Sequence, residues 1–217
     1  MPEFAIIPAA PILLDGVDLA ESAQIGPLRT VIESILQTKT KWALPVRELP
    51  PVAGLGGLGI DRGIDTRTNE LLEGEEWVET VSALNPAERA ASESAHPAIA
   101  VALLHAHSCG VRIGTLGSTD DLMIPIDLSV AASGNAPLAP VPGAAEADAR
   151  VVHALTAGDV DAVVAATSAG ADVHADLDLL DAATAHMLLR EGTDYSFSTV
   201  FDENVHEVRS LCGTGTY

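Results

Sequence analysis

The sequence predicts an α/β fold: a single three-layer domain in which helices flank a mixed central β-sheet. Short apolar segments of strand length alternate along the chain with longer segments of helical periodicity, and this alternation is typical of α/β layers. The chain has 217 residues, enough for one domain that buries about 70% of its unfolded surface. We therefore assign residues 1–217 to one domain.

The first half of the chain contains two predicted strands and one predicted helix. Residues 4–7 are apolar and β-competent, and the prolines that follow end this first strand. Residues 27–36 carry apolar side chains three and four positions apart, which predicts an amphipathic helix. Residues 42–46 predict a second strand, and the glycine-rich residues 50–59 predict a loop.

Residues 54–94 predict a mobile, glycine-rich and acidic excursion from the domain. Glycines cluster at its start and acidic residues outnumber basic ones along it. A phosphate-binding loop is an alternative use of such glycines. The pattern that a P-loop requires is absent, so a mobile connection is the preferred interpretation.

The second half of the chain alternates again and then becomes helical. A helix is predicted at residues 97–107, and strands at residues 111–116 and 122–128, with a turn at residues 133–137. Asp159 and Asp178 are predicted helix N-caps. The C-terminal helices are predicted at residues 144–157, 159–169 and 178–191. The last two strands are predicted at residues 195–201 and 208–217.

Composition and charge restrict the classes of partner. The formal net charge is −20, from 31 acidic and 11 basic residues, and aromatic residues make up 3%. This balance disfavours nucleic acid and anionic membranes as partners, and it leaves cations, basic partners or simple solubility. Cys109 and Cys212 form no disulfide framework, and no apolar segment is long enough to cross a bilayer. We expect a cytoplasmic protein, with a small-molecule ligand and homo-oligomerisation left open.

Residues 126–130, Ile-Asp-Leu-Ser-Val, resemble a family signature with one replacement. In class III extradiol ring-cleaving dioxygenases, both the catalytic B-subunit type and the Memo-like relatives, a strand leads into Gly-Asp-Leu-Ser-His. That His is the acid/base group beside a non-haem iron, and here its position is Val130. Four further segments resemble the family: residues 5–11, Pro140 with the helix containing Asp148, Gly158-Asp159, and residues 211–217. The chain is similar to an alanine-rich actinobacterial branch of this family.

The resemblance implies the fold, and it also implies that the family's iron site is lost. The first iron-binding His corresponds to Ala9, and residues 40–60 contain no histidine for the second. Residues 169–173 resemble the family's segment that contains the iron-binding Glu. Ala171 stands in the position of that Glu, and Asp172 lies one position further on. We therefore expect no metal and no cofactor.

Other histidines and acids offer weaker ligand sets. His105 and His107 lie two apart on a predicted helix and point away from each other. His105 and Cys109 share a face but have no third ligand in the sequence. Asp120 and Asp121 are more typical of a capped turn than of a cation site. Four further histidines are predicted to lie on the surface or to form local hydrogen bonds: His153, His174, His186 and His206.

The resulting functional expectation is a non-catalytic relative, a pseudoenzyme, that retains a cleft at the carboxyl ends of its strands. The predicted cleft residues are Ala9, Ala10, Asp127, Ser129, Val130 and Asp172. One alternative is a metal-independent enzyme with Asp127 as base, and another is an enzyme whose ligands come from other histidines. Residues 157–163 and 169–175 also resemble an ankyrin repeat, but no second copy follows.

Overall fold

The computed structural model describes residues 1–17, 23–189 and 195–217. The strands in these residues are β1 (Glu3–Pro8), β2 (Lys41–Ala43), β3 (Val52–Gly54), β4 (Arg62–Asp65), β5 (Glu70–Glu73), β6 (Arg112–Gly114), β7 (Leu122–Ile126), β8 (Ser196–Val205) and β9 (Val208–Thr216). The α-helices are α1 (Ile25–Leu36), α2 (Gly74–Ala83), α3 (Pro86–Glu93), α4 (Pro97–Ser108), α5 (Ala144–Ala157), α6 (Val160–Thr167) and α7 (Asp178–Leu188).

The central sheet is mixed and has six strands in the order β6-β2-β7-β1-β9-β8. The strands β6, β2, β7 and β1 are parallel, whereas β9 runs antiparallel to β1 and β8 antiparallel to β9. Pro8 at the end of β1 is paired in register with Ile126 at the end of β7. The carboxyl ends of these two strands therefore lie side by side at one edge of the sheet.

Helices cover both faces of this sheet, which confirms the predicted mixed α/β class. Ala5 and Ile7 belong to a hydrophobic cluster with residues of α1 and α4. Phe4 and Ile6 belong to a second cluster with residues of α5 and α7. Successive strand side chains point to opposite faces, so a single strand supplies both clusters.

The observed helices match most of the predicted ones, with two differences at their ends. Gly158 has φ +69° and ends α5, as its position indicated. The predicted N-cap role of Asp178 is wrong: the buried Leu177 is the N-cap, and Asp178 is the first helical residue. Helix α6 ends at Thr167, where the Thr167 and Ser168 hydroxyls both donate to the Val164 carbonyl. The predicted end of the last helix near residue 191 lies outside the described residues.

A second, three-stranded antiparallel sheet occupies part of the segment predicted to be an excursion. The prediction of a loop over residues 50–59 is wrong at β3. Gly54 in β3 and Gly63 in β4 both pack against the indole ring of Trp77. A Cβ added to Gly54 would come within 2.1 Å of this ring, and one added to Gly63 would come within 2.4 Å. These glycines allow close packing rather than chain freedom. The mobility of residues 54–94 stays a prediction.

None of the helices in the described residues has both the length and the apolar character needed to span a membrane.

Candidate functional site

The candidate site lies where the parallel strands β1 and β7 end. Ala9 directly follows β1, and Asp127 directly follows β7. The Ala9 amide donates to Asp127 Oδ1 at 3.1 Å and also to the Ile126 carbonyl at 2.9 Å. The Asp127 carboxylate is thereby held across the ends of two neighbouring strands, a common location for binding sites in α/β sheets.

A backbone bridge brings a second acidic residue to the same place. The Asp127 amide donates to the Asp176 carbonyl at 3.0 Å, and the Asp176 amide donates to the Asp127 carbonyl at 2.7 Å. This antiparallel pair anchors the segment before α7 to the edge of the sheet. Asp176 therefore has a fixed position relative to Asp127.

His96 completes the cluster from the start of α4. It is the N-cap of this helix, and its Nδ1 accepts from the Ala98 amide at 3.3 Å. Its Nε2 lies 3.0 Å from Asp176 Oδ1 and 3.9 Å from Asp178 Oδ2. Because Nδ1 accepts a hydrogen bond, the proton of the neutral ring is on Nε2, which donates to Asp176.

Asp127 has an ionisation suited to proton transfer near neutral pH. Its pKa is raised to about 7, mainly by burial and also by the negative charge of Asp176, whereas the Ala9 amide and His96 act in the opposite direction. A carboxyl with this pKa exists in both protonation states under physiological conditions.

His96 is held towards its charged form by its acidic neighbours. The hydrogen bond that His96 donates to Asp176 raises the pKa of His96, and the charges of Asp176, Asp178 and Asp127 add to this effect. Partial burial lowers the pKa of His96. The backbone amides at the start of α4 also disfavour a positive charge there. The charge-assisted contact with Asp176 at 3.0 Å is shorter than the 3.3 Å bond from Ala98, which favours the charged form.

The cluster is open to solvent on one side. The side chains of Asp176 and His96 are 38% and 22% exposed. Asp127 Oδ2 accepts no hydrogen bond from the described residues, and this oxygen is not completely buried. That oxygen therefore retains contact with solvent and can exchange a proton with a bound molecule.

The residues at the positions predicted from the resemblance as former iron ligands do not fit a metal. Ala9 and Ala171 provide no donor atom, and Asp172 is exposed in a 3-10 turn. Among the described residues, His96, Asp176 and Asp178 each bring one ligand atom to within 4.8 Å of the others. A metal on His96 Nε2 would need the ring proton on Nδ1, where Ala98 already donates. The hydrogen bond from Ala98 therefore disfavours a metal ion on His96 Nε2.

The structure brings some predicted cleft residues together and separates others. Ala9 contacts Asp127 directly, and Ala10 is partly buried beside it. Ser129 lies wholly inside the protein: its amide donates to Asp148 at 2.9 Å and its hydroxyl donates to the Val173 carbonyl. Ser129 is therefore a structural residue and not part of an open cleft.

The other two predicted cleft residues lie further along the same edge. The Val130 amide donates to the His174 carbonyl at 3.4 Å. This contact brings the segment containing Asp172 close to the strand end, but the Asp172 side chain is exposed. The nearby acid that reaches the site is Asp176, four residues further on.

The weaker ligand sets considered from the sequence have other roles. His105 is buried in α4, and burial together with the positive charges of Arg29 and Arg62 lowers its pKa to about 4. Two neighbouring cations make this position unfavourable for a metal ion. Asp121 accepts from the Glu3 amide at 2.9 Å and pairs with Lys39 at 3.4 Å.

Sequence reasoning missed His96 and Asp176. A signal for His96 was present, because a His before Pro97 at the start of an apolar helix occupies the N-cap position. No comparable local signal marks Asp176. No protein-family model matches the chain, and no curated protein matches it significantly.

Proposed function

We propose that this chain is a diverged member of the class III extradiol dioxygenase superfamily that has lost the family's iron site and catalyses metal-independent proton transfer on a small molecule. The α/β fold and the adjacent ends of β1 and β7 support the relationship, because the two best-matching segments meet there. The juxtaposition of Asp127, His96 and Asp176 carries the catalytic part of the proposal.

The chemistry follows from the position of each group. Asp127 Oδ2 accepts a proton from the substrate, because it is the solvent-accessible oxygen of a carboxyl whose pKa is about 7. The positive charge of protonated His96 stabilises the anion that forms, and in this form Nδ1 carries a proton and no longer accepts from the Ala98 amide. Asp176 orients His96 through the 3.0 Å contact and supports its positive charge. Asp127 and His96 are the catalytic residues, and Asp176 is a positioning residue.

The surroundings favour a small carbonyl compound as substrate. Ala9, Ala10 and Val130 place only small aliphatic groups at the strand ends. A proton next to a carbonyl group can be removed by one carboxylate when a cation stabilises the enolate. The proposed reaction is therefore abstraction of a proton next to a carbonyl, followed by its return to carbon or oxygen.

Deuterium exchange measures this reaction without knowledge of the natural substrate. A panel of small 2-oxo and 3-oxo acids is incubated with the protein in D₂O, and loss of the C–H signal is followed by NMR. The wild type should accelerate exchange of at least one compound. Asp127→Asn should lower that rate by about 100-fold or more, since general-base catalysis contributes about 10²–10⁴-fold.

Asp172→Asn is the matched control, because it removes the same charge from an exposed site on the same edge. It should exchange protons at the wild-type rate. If no compound exchanges faster than in buffer, the catalytic proposal fails, and the non-catalytic interpretation replaces it. Equal rates for the wild type and Asp127→Asn would exclude Asp127 as the base.

Metal content and ring cleavage are tested on the same purified protein. We expect less than one equivalent of iron or zinc and no cleavage of catechols with added Fe²⁺. One equivalent of tightly bound metal would instead support the alternative of a rebuilt ligand set. The proximity of His96, Asp176 and Asp178 makes these three residues the first to replace in that case.

A further inference from the structure

A separate cavity of about 580 Å³ lies between the second sheet and the helices that follow it. Cavities of about 300–1,000 Å³ are typical of small-molecule sites. Its walls include Leu55, Trp77, Val81 and Leu84, together with the glycine-rich turn after β3. Ala95 and Pro97 also line it, so it begins beside His96 at the start of α4, but His96 points away towards Asp176.

Trp77 presents an unused polar group in this cavity. Trp77 is 8% exposed, yet the indole N–H has no hydrogen-bond partner within the part of the chain that the structure describes. The indole nitrogen is not completely buried, and Trp77 lines the cavity. Trp42 provides a contrast, because its N–H donates to the Leu36 carbonyl at 2.9 Å. Buried indoles usually bond a partner in this way.

The charges lining the cavity are predominantly negative. Asp61 and Glu93 contribute carboxylates, and neither forms an ion pair with any described residue. Arg89 is the one basic residue of the lining, and its Nη2 is already bound to the carbonyls of Val81 and Ser82 at the end of α2. An organic cation complements this lining better than an anion does, and the net charge of −20 favours cations further.

We propose that this cavity binds a small organic cation with an apolar body, of the arylalkylamine type. The apolar body fills the space beside Trp77 and Leu84, and the ammonium group lies near Asp61 and Glu93. An indole ring is also the aromatic group that attracts ammonium ions most strongly. This site is distinct from the proton-transfer site at Asp127 and does not depend on it.

Three ligands that share one apolar body test the proposal. Phenylbutylamine is positive, phenylbutanol neutral and phenylbutanoate negative at pH 7. Binding is followed through the indole N–H signals of ¹⁵N-labelled protein, of which there are two because the chain has two tryptophans. The amine should shift the Trp77 signal saturably, leave the Trp42 signal in place, and bind at least about 3-fold more tightly than the alcohol.

The order of affinities decides the outcome. Weaker binding of the carboxylate than of the alcohol supports a cation site. Tightest binding by the carboxylate would overturn the proposal and would assign the cavity to anions held by Arg89. Absence of any saturable shift at Trp77 with all three ligands would also overturn it.

A pair of double variants tests the role of the carboxylates. Asp61→Asn combined with Glu93→Gln should weaken amine binding by about 3–10-fold and leave alcohol binding within about 2-fold, because exposed ion pairs contribute modestly. Glu70→Gln combined with Glu79→Gln removes the same charge from exposed positions outside the cavity lining. The control variant should bind the amine like the wild type. Equal weakening in both variants would show a general charge effect and would contradict the proposal.

Discussion

Replacing Asp127 by Asn should change how the stability of the protein depends on pH. The pKa of Asp127 is raised to about 7 by burial, from an ordinary value of 3.8. Between these two values the folded chain keeps the Asp127 proton while the unfolded chain has lost it. This residue therefore stabilises the fold at low pH, and its contribution is lost as the pH rises through 7. Asn carries no titrating proton, and its side-chain oxygen can still accept from the Ala9 amide.

The magnitude follows from the width of the titration window. Between pH 5 and pH 8, about two pH units lie below the pKa of Asp127 in the folded protein. Each of these units corresponds to 1.36 kcal/mol of unfolding free energy. The wild type should therefore lose ~2–3 kcal/mol of stability relative to Asp127→Asn as the pH rises from 5 to 8. Groups that do not interact with Asp127 titrate alike in both proteins and cancel in the difference. The stability of Asp127→Asn relative to the wild type should therefore be higher above pH 7 than at pH 5.

The assay is urea unfolding at half-unit steps from pH 5 to pH 8, with the free energy of unfolding compared between the two proteins. Asp172→Asn serves as a control, because this residue is exposed and its substitution should give a difference that is constant with pH. A wild-type minus Asp127→Asn difference that stays constant to within about 0.5 kcal/mol would show that Asp127 is ionised in the folded protein. The reasoning that assigns it a proton-transfer role would then be refuted.

Three further predictions concern the rest of the fold. His105 has its pKa lowered from 6.5 to about 4, so stability should fall by ~3 kcal/mol as the pH drops from 6.5 to 4, and His105→Leu should flatten this dependence in urea unfolding. Gly54→Ala should lower the thermal unfolding midpoint by several degrees, because the added methyl overlaps the indole ring, whereas Gly57→Ala has open space and should be close to neutral. Limited proteolysis should cut first within residues 54–80, and a first cut inside the central sheet would contradict the predicted mobility.

The central sheet and its covering helices were predictable because their signals are local. Helix α5 matches its predicted bounds at residues 144–157, since apolar spacing and a terminal Gly158 both lie within the segment. Strand β1 likewise has its apolar residues and its terminating prolines in one short segment. Such patterns need no knowledge of the pairing partner.

The second sheet was not predictable in the same way. Strand β3 contains three residues, and it pairs with β4 across a glycine-rich turn. Gly54, one of the glycines that indicate a loop in the sequence, is required by the packing of Trp77 more than twenty residues further on. A propensity-based interpretation has no access to that contact, so tertiary packing overrode local composition.

The candidate site was predictable only in part. Asp127 was found because a motif marks the end of its strand. Asp176 and His96 belong to separate loops, and only the folded topology brings them to Asp127. Ser129 belonged to the same motif, yet its hydrogen bonds place it in the interior. A motif thus located the region correctly, but it did not identify which neighbouring side chains reach the solvent.

The position of His96 also connects helix capping with the chemistry of the site. In the neutral ring, capping α4 occupies Nδ1 and fixes both the ring orientation and the proton on Nε2. The same ring therefore reaches Asp176 as an N–H donor and not as a metal ligand. A rigid donor beside a carboxyl with a pKa of about 7 is suited to moving protons. The capping of α4 by His96 thereby supports the proposed proton transfer at this edge of the sheet.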